Sequence, residues 1–278
     1  MELGIFARTF ARPDLEQTLD AVKSHGLDWL QFNFSCAGLD AVPAEIDPGL
    51  VKRIRSEMDR RSLRMAALSG TCNLIHPNPE ERAEKLHRLR GVIAACPGLG
   101  IHVLTLCSGT RDPADMWKAH PNNQSPEAWR DLVKSLEALL PAAEEHAVTL
   151  GIEPEPANVV CSAQRACVLL EDLGSPALWI VFDAANHVPS RELRSQEQLL
   201  RTAFDLLGPR IVLAHAKDVS PDPAAPHVAA GKGGLDYRLY CSLLEQAGYT
   251  GPLILHSLSE AEVPGSVAYL QSLTRRKF

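Results

Sequence analysis

Eight short apolar runs, each followed by a longer amphipathic stretch, partition this chain of 278 residues, and that repeat limits the fold more than any other feature. The runs are Glu2 to Phe6, Trp29 to Phe34, Arg64 to Ser69, Ile101 to Leu106, Thr149 to Glu153, Trp179 to Asp183, Ile211 to His215 and Leu253 to His256. Between them lie helical spacings. Leu86, Leu89, Ile93 and Cys96 follow the third run, and Trp129, Leu132, Leu136 and Leu140 follow the fourth. Pro13 with Asp14 and Glu16 marks a helix start, and Gly26 a helix end. Eight such units either close into a barrel or lie open as a doubly wound sheet. An open sheet more often carries a Gly-rich first turn, and none follows the first run. The expectation is an α/β fold, a (β/α)8 TIM barrel, formed as one domain over residues 1–278.

Composition narrows the partners. Hydrophobic residues make up 45% of the chain, enough for one core of ordinary size, and the net charge of -6 gives no basic footprint for nucleic acid. Seven cysteines, odd in number and without a CxxC pair, suggest neither a disulfide framework nor a zinc ribbon, so a cytoplasmic home is expected. Glu2, Arg8 and Arg12 interrupt any apolar signal-peptide core, and the apolar runs are far shorter than the roughly 18 residues of a membrane span. No Gly/Ser-rich linker divides the chain. The Pro-rich piece Pro221 to Pro226 reads as a loop.

In a (β/α)8 barrel the working residues stand at the C-terminal ends of the strands. Four consecutive runs end in metal-type ligands: Glu153, Asp183, His215 and His256. They are spaced 30, 32 and 41 residues apart, about one βα unit each. A lone strand-end Asp can simply cap the next helix, and a lone His can sit hydrogen-bonded in a core. Four in a row argue for convergence on a divalent cation, because charges are seldom buried without a partner or a metal. Carboxylate with imidazole suits manganese, zinc, cobalt or iron better than magnesium or calcium.

These residues carry a resemblance. The segments around Glu153 (LGIEPEP), Asp183 (WIVFDAANH) and His215-Ala216-Lys217-Asp218, together with Gly231 to Tyr237 and the AGYTGPLIL stretch, are similar to the xylose-isomerase-like sugar isomerase and epimerase family. The similarity extends over nearly the whole chain. It implies a Glu after strand five, an Asp after strand six, a His after strand seven and a Glu after strand eight, and at the last position this chain has His256 instead. In the family's epimerases the two glutamates bind metal and move the substrate proton. Here Glu153 is the expected base, with His256 or Lys217 on the opposite face, since an imidazole can act as ligand or base near neutral pH. Lys217 shares a strand face with His215 by period-two alternation and is placed to stabilise an enediolate oxygen or to pair with Glu153 or Glu155.

Around this core, Asn186 and His187 follow Asp183 by three and four positions and are expected on the substrate, as are Asn73, His76 and Arg111 in the loops after strands three and four. Trp117 and His120 lie in a long excursion that reads as a lid, and the glycines from Gly231 to Gly234 with Lys232 as a weak phosphate seat. The resemblance implies a metal-dependent isomerase or epimerase of a small sugar or polyhydroxylated carbonyl compound, working through an enediolate. Two other readings stand beside it: a keto-inositol-type dehydratase and a non-catalytic sugar-binding barrel. A small-molecule carbohydrate is the expected partner, with room for a homo-oligomer and none for nucleic acid or membrane.

Overall fold

A computed structural model describes residues 1–222 and 227–274; residues 223–226 of the Pro-rich loop lie outside that range. Eight parallel strands close into a barrel in chain order. They are Leu3–Phe6, Trp29–Phe32, Arg64–Ser69, Val103–Cys107, Thr149–Glu153, Leu178–Asp183, Ile211–Ala216 and Leu253–Leu255. The expected barrel is therefore the observed one. The fourth strand begins later than its apolar run suggests, because Ile101 is still bound to the preceding helix through its amide and Cys96 O, 3.1 Å. The eighth stops at Leu255, and His256 is the first residue beyond it. A short antiparallel ribbon, Asp218–Val219 with His227–Val228, rises after the seventh strand.

Helices begin where the chain supplies acceptors for free amides. Asp14 caps Leu15–Ser24 by accepting from Gln17 N, and Asp47, Asn78 and Ser125 cap helices whose first residues are Pro48, Pro79 and Pro126. The helical stripe from Trp129 to Leu140 is divided between Pro126–Glu137 and Leu140–Glu145, the second with Pro141 in its first turn, where a missing N–H does no harm.

Two apolar layers follow. The main core fills the space between strands and helices, while Ala67, Val181, Leu213 and Ile254 form a small group of their own. Alternation along the strands puts Val181 on the face of Asp183, Leu213 on that of His215 and Ile254 on that of His256. This small group is thus the floor beneath the strand-end polar residues. Gly151 shares the face of Glu153, and a Cβ there would stand 2.8 Å from Val181, so only glycine fits without movement. Strand register then aligns the ligand candidates: Asp183 lies opposite His215, and His215 opposite Ile254, two residues before His256. Among the described residues no helix is long and apolar enough to cross a membrane.

Candidate functional site

Glu153, Asp183, His215 and His256 converge as their strand positions require, each offering a ligand atom within 4.8 Å of the others. His215 Nδ1 faces Glu153 Oε1 at 3.2 Å, and His256 Nε2 faces Asp183 Oδ2 at 2.7 Å. The two rings lie 4.4 Å apart between centroids. Two carboxylates and two imidazoles in one buried cluster suit a borderline divalent cation, so the residues present fit the metal expected for them.

Electrostatics tie the cluster together. Burial works against charge on Asp183, but Lys217 and a hydrogen bond from His256 hold its pKa well below the usual carboxylate range. Burial likewise opposes charge on Glu153, and His215 overrides it and lowers the pKa. His215 itself is raised: burial is outweighed by Glu153 and Asp183. His256 is lowered, by burial first and then by His215. Each group is held by its neighbours' charges. Removing one member would leave others buried and uncompensated.

Lys217, just past the seventh strand, donates to Asn186 Oδ1 at 2.7 Å and lies 3.4 Å from Asp183 and 3.7 Å from Glu155. Its amine is therefore paired and still lines the cavity. Burial pushes the Glu155 carboxyl up to about 7 against the pull of Lys217. Asn186 is placed differently from expectation. Its amide donates to Glu153 Oε1 and Pro154 O while its oxygen accepts from Lys217, so it aligns Glu153 and the lysine and does not line the cavity. His187 stacks on Phe182 at 4.5 Å, and burial lowers its pKa to about 4; it too is off the cavity wall.

The three residues expected in the loops after strands three and four hold those loops to one another. Asn73 donates to Thr110 O and accepts from the amides of Ile75 and Thr110. His76 bonds Pro113 O, and Arg111 bonds Ile75 O and Asp131. None of the three lines the cavity above the cluster. The physical reason is local: their side chains meet backbone groups left free by the turns, which must find partners. The excursion behind them is tied down as well, with Thr110 Oγ1 donating to Lys118 O, Asn158 to Met116 O, and Asp112 paired with Lys118. Trp117, half exposed, is the residue of that loop that reaches the cavity. His120 caps the following turn through Asn122 N.

Much of the glycine loop is committed within the protein. The amides of Val219, Gly231 and Leu235 all donate to the Asp218 carboxylate, and Lys232 is paired with Glu262.

The cavity has a volume of about 460 Å³, and its walls include residues that sequence reasoning did not single out: Gln31, Arg8, His227 and Ser257. Gln31, buried on the second strand, accepts from His215 Nε2 at 2.8 Å and donates to Thr105 Oγ1. A polar residue within an otherwise apolar strand was the available signal. Ser257 follows His256 with φ 55, a conformation non-glycine residues seldom adopt, and its hydroxyl lies 3.0 Å from His256 Nδ1. Behind the site, Tyr240 Oη donates to Phe182 O and His215 O, and Tyr237 Oη to Lys217 O, pinning the ends of strands six and seven.

Comparison with known proteins agrees with this architecture. L-ribulose-5-phosphate 3-epimerase UlaE of Escherichia coli strain K12 is 26% identical over 186 residues, covering 66% of this chain and 60% of that protein. The match thus spans about three fifths of the curated relatives' length. The crystal structure of 3-keto-D-glucoside 4-epimerase YcjR from E. coli has a TM-score of 0.75 at 16% identity, covering 98% of this chain and 99% of that one. That of IOLI protein with a binding zinc atom scores 0.71 at 16% identity, covering 100% and 99%. At such identities the structural likeness is one of fold. The family's sequence pattern, by contrast, matches residues 19–273, and the chain belongs to the xylose isomerase-like TIM barrel family.

Proposed function

We propose that the protein is a divalent-metal-dependent isomerase or epimerase of a small sugar or polyhydroxylated carbonyl compound. The observation that carries this reading is the cluster of Glu153, Asp183, His215 and His256 beneath a cavity large enough for a sugar. A manganese, zinc, cobalt or iron ion held by these four residues would supply Lewis-acid polarisation of adjacent carbonyl and hydroxyl oxygens.

The chain's own groups supply the proton chemistry. Glu153, kept ionised by His215 and oriented by Asn186, takes the proton from the carbon beside the carbonyl, leaving an enediolate. The group that returns a proton to carbon from the opposite face is His256, when it is protonated and not holding the cation, or Lys217; both line the same cavity. Lys217 offers a fixed positive charge to the enediolate oxygen while Asp183 and Asn186 hold its amine. Phe6, Pro156, Ala157 and Trp117 give the cavity apolar walls that limit water around the carbanionic intermediate. The UlaE relative is an epimerase of a ketopentose phosphate, which supports a substrate of this size and kind.

Two measurements test the proposal in sequence. Plasma mass spectrometry of the purified protein should find near-stoichiometric manganese, zinc, cobalt or iron, reduced in His256→Ala. Ketoses and keto-inositols incubated in deuterium oxide should then exchange a carbon-bound proton without loss of water. An absence of metal after reconstitution, or of exchange with every compound, would refute the assignment, and loss of water would make the enzyme a dehydratase.

A further inference from the structure

Most arginines of this protein are paired with a carboxylate: Arg12 with Glu260, Arg53 with Glu16, Arg61 with Asp20 and Glu57, Arg88 with Glu84, Arg111 with Asp131. Arg8 is different. It sits in the turn Ala7–Thr9 directly after the first strand, is exposed, and lines the cavity over the cluster. Among the described residues no carboxylate lies within ion-pair distance of it.

The other cations nearby are committed. Lys217 is held by Asp183, Glu155 and Asn186, and Lys232 by Glu262. His227 on the cavity wall has its pKa lowered to about 4, by desolvation first and then by Lys217, which favours its neutral form. Among the described residues after strand seven, the amides of Val219, Gly231 and Leu235 are already occupied by Asp218. Within the cavity, then, acidic groups gather at the floor, and one uncommitted guanidinium stands on the wall formed by the first βα turn. A ligand that places oxygens among the floor residues and an anion beside Arg8 would satisfy both ends at once. Guanidinium recognises carboxylate and phosphate through two parallel N–H donors.

We infer that Arg8 is a specificity residue that receives an anionic group, phosphate or carboxylate, at the far end of a polyhydroxylated substrate. The inference rests on the sugar-isomerase reading of the same site and narrows its substrate to sugar phosphates or sugar acids.

The test separates this claim from catalysis by using ligands that cannot react. Ribitol, ribitol 5-phosphate and ribonate share a five-carbon polyol chain and differ in charge. Calorimetric titration of the full chain, reconstituted with manganese or zinc, is expected to show one of the two anionic ligands bound at least tenfold more tightly than ribitol. Whichever is preferred identifies the anion. Arg8→Gln should bring that ratio to within twofold, and Arg8→Lys should retain part of it, with thermal melting confirming that both variants fold. Equal binding of all three ligands by wild type, no binding of any, or a ratio unchanged in Arg8→Gln would overturn the inference. The two claims fail separately. Ketose exchange without anion preference removes Arg8's role alone, whereas anion preference without exchange on any ketose removes the isomerase reading alone.

Discussion

The two sides of the barrel mouth use similar residue types for opposite ends. At the ends of strands five to eight, Glu153, Asp183, His215, Lys217 and His256 turn toward one another, and all but Asp183 line the cavity. After strands three and four, Asn73, His76 and Arg111 turn toward backbone groups of the neighbouring loop, and Asp112 toward those of its own. The difference follows from where the side chains start. A residue on or one step past a strand is aimed by the pleat at the barrel axis, whereas a residue several positions into a loop is free to answer the nearest unpaired amide or carbonyl. A polar residue's chemistry is therefore less informative than its distance from the strand end.

That contrast can be broken from either side. Glu153→Gln should leave a folded barrel and lower proton exchange at least 100-fold, since the proposed base is lost while the shape is kept, measured by deuterium incorporation into the substrate. Asn186→Ala, on the same side but outside the cavity, should weaken metal binding by about 10 to 100-fold, because a partner that orients a ligand is removed. Competition titration with a metal indicator reads it.

Asn73→Ala is the converse experiment. It strips partners from the amides of Ile75 and Thr110 and should cost about 2 kcal/mol of stability in denaturant unfolding, with metal content unchanged. The smallest effect concerns acid. The amides of Ala114 and Asp115, and then Lys118, hold the Asp112 carboxyl down to about 2, below its unfolded value. Its contribution is thus complete above about pH 5 and is lost as pH falls through the folded pKa. Asp112→Asn should melt below wild type at pH 6, and the gap should close toward pH 2. A gap that held steady across that range would show the carboxylate's charge to be irrelevant to the loop.

The fold was legible in the sequence because strands three and five, Arg64–Ser69 and Thr149–Glu153, coincide with their apolar runs, and the other six deviate only at their ends. The four converging ligand candidates were legible for the same reason, each being fixed to a strand end. Asn186 was harder. Its position three residues past Asp183 is visible, but its use, bridging Glu153 and Lys217 from behind, depends on two strands it does not belong to. Gln31 on strand two and Arg8 in the turn after strand one lie where the local sequence carries no ligand pattern. Only barrel closure, which pairs strand one with strand eight, brings Arg8 to the same cavity as His256.

Closure has one more effect, through Gln31. Its carbonyl oxygen can only accept, so the His215 Nε2 that faces it carries hydrogen. The other nitrogen, Nδ1, is then the one presented to Glu153 and to any cation between them. A glutamine 184 positions earlier in the chain thus chooses the imidazole's tautomer, and with it the atom through which strand seven would coordinate.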